Sequence, residues 1–122
     1  MIFSCTFAVP PSVNSMYIER KQAGKRGRSL SWEYRAWRDS VRGVIAQAWR
    51  EAGSQEVPKP FVVHLQLGID HKGDIDNRTK AALDALCKAV PTPGDQWIDV
   101  LHVTRGGKSG MASLSVYPMG EP

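Results

Sequence analysis

Asp74 and Asp76 stand two residues apart in the run Asp74-Ile75-Asp76-Asn77-Arg78-Thr79-Lys80, directly ahead of a stretch with helical periodicity. Paired carboxylates at an element boundary read as a metal site, because clustered side-chain oxygens suit hard divalent cations. Phe61 to Ile69 before them alternates as a strand, and Asn77 to Val90 after them reads as a helix. The acids therefore fall on a loop at a strand end, where chemistry is commonly mounted.

A simpler role competes. Asp76 is placed to cap the helix by accepting from free N–H groups of its first turn, and capping alone accounts for it. Capping does not account for Asp74 as well. With Asp76 at the start, Lys80 and Asp84 follow at four-residue steps on one face, and a solvated salt-bridge ladder continuing to Lys88 explains that stripe equally well. Ala82, Leu83, Leu86 and Val90 form the face expected to pack on a sheet. His64 points away from the core face of its strand and makes no recognisable ligand pattern with the acids, so it reads as a sheet-surface histidine. His71, in the loop itself, is better placed. Gly107-Lys108-Ser109 imitates the end of a phosphate-binding loop, but the pattern needs glycine where His102 stands and a helix where a strand follows.

The elements that must position these residues follow from periodicity. Ile2 to Val9 alternates as a half-buried strand and Pro10-Pro11 ends it. Ser31 is an N-cap for a helix over 32–52 whose apolar stripe is Trp37, Val41, Val44, Ile45, Ala48 and Trp49. A third strand is entered through Asp95 and runs to Val103, and Met111 to Tyr117 is the last. The order is strand, helix, strand, helix, strand, strand: an α+β fold of two helices packed on a mostly four-stranded mixed sheet. At 122 residues, with 42% hydrophobic and 23% charged residues, the chain reads as one folded domain over 1–122. Met1-Ile2-Phe3 opens directly into apolar alternation, so neither a signal peptide nor a membrane span is expected, and the expected location is cytoplasmic. Cys5 and Cys87 are expected as buried thiols.

Charge is distributed unevenly. Arg20, Lys21, Lys25, Arg26, Arg28, Arg35, Arg38 and Arg42 face only Glu33 and Asp39 in that segment, a local excess of six within a net charge of +4. A basic arm beside a carboxylate-bearing remainder is suited to a polyanion, although solvation alone explains many such runs. Arg20 to Ser29 has one small apolar residue, Ala23, and is expected to be a loop ordered only on a partner. Trp32, Trp37 and Trp49 offer aromatic area for a dimer interface, or else cap the monomer core.

Asp74 to Leu86 resembles the D-x-D-N-x-x-K-x-x-x-D-x-L motif of the RusA family of Holliday junction resolvases. These are small homodimeric endonucleases of bacteria and their prophages that cut four-way DNA junctions using Mg2+. Pro10-Pro11-Ser12-Val13-Asn14 matches an early Pro-Pro-Ser-x-Asn, so the likeness spans nearly the whole chain. The resemblance implies that Asp74, Asp76 and a third aspartate bind Mg2+, with Mn2+ as a substitute, and that Lys80 assists at the scissile phosphate. Asn14 joins the basic residues as a DNA contact. The third acid lies in an Asp-Asp pair in the family; here that pair is Gly94-Asp95, so the role passes to Asp95 and its first acid is missing. The implied function is recombination and repair through paired, symmetric cuts by a homodimer on branched DNA. The alternatives are a non-catalytic nucleic-acid-binding module and a phosphohydrolase of small phosphates, and the latter has no need of a basic arm.

Overall fold

The computed structural model describes residues 1–11, 17–22 and 25–120; for 17–22 and 25–30 it describes the backbone. Alternation makes the first strand: in β1 (Phe3–Ala8) Phe3 and Phe7 are buried while Ser4 and Thr6 are exposed. After β2 (Tyr17–Gln22) and β3 (Lys25–Leu30), the helix α1 (Trp32–Glu51) starts where the Ser31 hydroxyl accepts from the Tyr34 N–H at 3.1 Å. Its buried stripe is Trp37, Val41 and Ile45. Trp37 sets the helix against β1, donating its indole N–H to the Ala8 carbonyl at 2.8 Å with its ring edge-on to Phe7.

The central strand β4 (Phe61–Leu67) turns Phe61, Val63, Leu65 and Leu67 into the core. The second helix, α2 (Ile75–Ala89), buries Ala81, Ala82, Ala85 and Leu86, and Val90 at its end is buried too. Three alanines on that face let the helix axis come close to its neighbours. A 3-10 turn at Asp95–Trp97 leads into β5 (Ile98–Arg105), and β6 (Met111–Pro118) closes the chain. The four-stranded sheet has the order β1-β6-β4-β5. β6 runs antiparallel to β1 and β4, and β4 runs parallel to β5, with Phe61 opposite Ile98 and Leu67 opposite Arg105. Two helices on a mixed sheet make the α+β architecture that the element order implies.

Two expectations are corrected, and of the two roles open to the tryptophans one is decided for Trp37 and Trp49. The segment expected as a loop forms an antiparallel hairpin, with Tyr17 opposite Leu30 and Gln22 opposite Lys25. Ladder hydrogen bonds join backbone groups and need no buried apolar alternation, so a hydrophobic pattern cannot reveal them. Trp37 is a core residue, and the Trp49 indole donates to the Gln55 carbonyl at 2.8 Å, so both work within the chain. Trp32 alone of the three is available, 81% exposed at the start of α1. The last correction concerns the cap of α2. Asn14 lies outside the described residues.

Candidate active site

Asp74, not Asp76, caps α2. One carboxylate oxygen of Asp74 accepts from the N–H groups of Asp76 (3.0 Å) and Asn77 (3.4 Å), and the other accepts from the Asn77 side-chain amide. The Asn77 amide is the largest cause holding the Asp74 carboxyl below its ordinary range, followed by the Asn77 N–H, with the Asp76 N–H and the Arg78 charge adding to it. Capping thus explains the first acid and leaves the second over. Asp76 lies in the first helical turn, exposed, and its carboxylate has no hydrogen bond or ion pair among the described residues. Lys80, one turn on, is also exposed, and no ion pair links Asp76, Lys80, Asp84 and Lys88 among the described residues. The salt-bridge ladder is not formed. Because Asn77 contributes most to the depressed Asp74 pKa, Asn77→Ala should move it up towards the usual carboxylate value, as read by carboxyl chemical shifts in a pH titration. An unmoved titration would assign the depression to the helix terminus.

The loop that delivers Asp74 is tied down from a distant strand. Arg105, at the carboxyl end of β5, donates one guanidinium nitrogen to the Asp70 carbonyl and another to the Gly73 carbonyl, the latter at 3.0 Å. Asp70 also accepts from the Lys72 N–H at 2.9 Å and, through its carbonyl, from the Gly73 N–H at 3.1 Å. Arg105 was missed in the sequence because nothing in the spacing joins it to a loop more than thirty residues away. Its register opposite Leu67, the last residue of β4, is what brings it there.

Asp95 lies elsewhere. It follows α2 and precedes β5, whereas Asp74 follows β4, and the two strands are parallel. A seven-residue strand spans roughly 20 Å, and the fifteen-residue α2 runs about 22 Å, so both elements place the two acids at opposite ends. Asp95 lines a cleft with Tyr34, Arg38 and Arg42 of α1 and Asp84, Cys87 and Lys88 of α2. Among the described residues no three His, Cys, Asp or Glu side chains gather where a metal ion could be held. Asp74 and Asp76 by themselves fit a cation such as Mg2+, which one or two carboxylates can hold while it keeps several waters. The third acid does not join them within one chain.

Gly94, which stands where the resemblance expects an acid, has φ 107° and ψ 158°, a conformation open in practice to glycine alone. Cys5 and Cys87 are half-buried free thiols. Burial pushes the Cys5 thiol up to about 11 and raises Cys87 as well. His64 and His102 lie on the open face of the sheet, away from both acidic ends.

Carboxylates at the carboxyl edge of an α+β sheet, together with an arginine-bearing helix lining a second acidic cleft, are chemistry suited to a divalent cation and a polyanion. The family model described as Endodeoxyribonuclease RusA matches residues 8–116. The crossover junction endodeoxyribonuclease RusA of Escherichia coli strain K12 is 33% identical over 124 residues, covering 97% of this chain and 96% of that protein. The Shigella sonnei protein of the same name matches over the same shares at 33% identity, and that of E. coli O139:H28 is 33% identical over 87% of this chain and 88% of its own length. The chain belongs to the RusA family of endodeoxyribonucleases, metal-dependent enzymes. Among the described residues no helix is long and apolar enough to cross a membrane.

Proposed function

We propose that this protein is a Mg2+-dependent crossover junction endodeoxyribonuclease that resolves four-way DNA junctions by paired, symmetric phosphodiester cuts. It would act in recombination and repair, in the cytoplasm of a bacterial or phage-infected cell, as a homodimer of one-domain chains spanning 1–122. The observation that carries this is the free Asp76 carboxylate beside the capping Asp74, at the sheet edge, in a chain similar along nearly its full length to proteins of that name.

Asp74 and Asp76 are the residues assigned to hold Mg2+, or Mn2+ in its place, which when bound supplies Lewis acidity at the phosphate and lowers the pKa of a water. The Asp76 carboxylate is unengaged among the described residues, so it offers both oxygens. Asp74 is committed in part to the helix and fixes the position of its neighbour. Lys80, one turn beyond Asp76, places a cation for the charge that develops on the phosphoryl oxygens. Arg105 acts through the loop that carries Asp74 and is a positioning residue. Arg20, Lys21, Lys25, Arg26 and Arg28 of the hairpin, Arg35, Arg38 and Arg42 of α1, and Asn14 are assigned to the DNA backbone.

The separation of Asp95 from Asp74 supports the dimer. A second chain related by a two-fold axis can present its Asp95 to the first chain's Asp74 and Asp76, and the reverse, giving two equivalent sites on one junction. Each site would then combine two chains.

Cleavage of a four-way junction, a linear duplex and a single strand, each with and without Mg2+, tests the activity. Paired nicks confined to the junction and dependent on the cation are expected; equal cutting of duplex would overturn the proposal. Co-expressed Asp76→Asn and Asp95→Asn chains test the shared site. If each site draws on both chains, the mixed dimer keeps one intact site and nicks one strand, whereas sites built within single chains would leave it inactive.

The assigned DNA surface has its own signature. Neutralising four to six phosphates gives a slope of log affinity against log salt of roughly minus four to minus five. Replacing Lys25, Arg26 and Arg28 together by alanine should flatten it by about three, measured by fluorescence anisotropy across a salt series. An unchanged slope would mean that the hairpin charges are only solvated.

A further inference from the structure

We propose that the open face of the sheet carries a second metal site, in which His64 of β4 and His102 of β5 chelate a Zn2+-class divalent cation. The proposal does not rest on the nuclease reading. The two histidines are register partners on parallel neighbouring strands, so their side chains project from the same face. Their ring centroids are 4.8 Å apart, with the rings at 87° to one another. Two imidazoles on one tetrahedral ion, at a metal–nitrogen distance of about 2.1 Å, have centroids about 5 Å apart. The separation matches that of a shared ion.

Two further observations favour a ligand there. Neither imidazole has a hydrogen-bond partner among the described residues, so their nitrogens are uncommitted on a surface where His102 is exposed. His64 is also braced on its other flank by the Tyr117 ring of β6, centroid to centroid 4.8 Å, which limits its rotamers before any ion arrives. A braced imidazole beside an exposed one favours chelation. Imidazole nitrogen selects Zn2+, Cu2+ or Ni2+ over Mg2+, which prefers oxygen, so this site and the carboxylates would sort different ions. His64 lies mid-strand in β4, whereas Asp74 lies beyond the strand's carboxyl end. The ion would tie β5, which among the described residues is an edge strand paired with β4 alone, to the centre of the sheet.

The test is a calorimetric titration of the full chain with Zn2+ in excess Mg2+, joined to thermal melting with and without Zn2+. One Zn2+ per chain and a raised Tm are expected, since an ion that binds only the folded pair stabilises it. His102→Gln, at an exposed position that leaves packing intact, and His64→Gln should each weaken binding at least about tenfold and remove the Tm rise. His71→Gln and the Asp74→Asn, Asp76→Asn double variant should leave Zn2+ affinity unchanged. Co2+ in place of Zn2+ should show no thiolate charge-transfer band, which separates this site from Cys5 and Cys87. Unaltered Zn2+ affinity in the His64→Gln, His102→Gln double variant, a thiolate band, or no binding at millimolar Zn2+ would each overturn the proposal.

Discussion

Asp76→Asn should lower Mg2+-dependent junction cleavage by about a thousandfold or more while leaving the fold and metal-free junction binding in place. The magnitude follows from the several kcal/mol that a correctly held cation contributes at a transferring phosphoryl group, at roughly 1.4 kcal/mol per tenfold in rate. The selectivity follows from the geometry. The Asp76 side chain is exposed and has no hydrogen-bond or ion-pair partner among the described residues, so the nearly isosteric amide removes charge and little else. Asp74→Asn should abolish cleavage too, with a small stability change, because asparagine also caps helices well. Circular dichroism, gel-shift binding in chelator and a cleavage time course make the comparison. Full activity in Asp76→Asn would remove the metal site as assigned.

Gly68→Ala should be the most damaging single change to the fold, costing about 3 kcal/mol or more and lowering Tm by roughly 10 °C. A methyl group at Gly68 would sit 2.0 Å from the Lys108 carbonyl oxygen and 2.8 Å from that of Met111. Both obstacles are backbone, Lys108 in the connection between β5 and β6 and Met111 at the start of β6, held by hydrogen bonds from the Gly68 N–H to the Met111 carbonyl (2.9 Å) and from the Gly110 N–H to the Gly68 carbonyl (2.8 Å). No side chain can swing aside. The damage would reach the site as well, since Gly68 opens the loop that ends at Asp74. Urea denaturation with an unchanged m value measures it, and a loss below about 1 kcal/mol would show that this connection shifts freely.

What the sequence made legible was whatever one-dimensional periodicity carries. β1, β4, β6 and both helices were readable because Phe3, Phe7, Phe61 to Leu67, and the Trp37-Val41-Ile45 and Ala82-Leu86 stripes repeat with the period of their element. The β2–β3 hairpin was not, since its ladder rests on backbone groups and most of its residues are polar or charged. The cap was misplaced by two residues because Asp74 and Asp76 are equally good capping types and only the chain direction at Ile75 decides between them. Arg105 was illegible for a different reason: its role depends on which strand lies beside β4, and that is a fact of sheet order. The resemblance implied a role for Asp95 without giving its location. Parallel pairing of β4 and β5 sends it to the far edge.

That parallel pairing also bears on when the protein could cut. Under the shared site proposed above, a lone chain would hold only part of each acidic set and would be a latent enzyme, and activity at low abundance would rise with the square of protein concentration. Stray monomers diffusing over a chromosome would be harmless to it. Cutting would be reserved for places where two chains meet, and a branched substrate with two-fold symmetry is itself a template for that meeting.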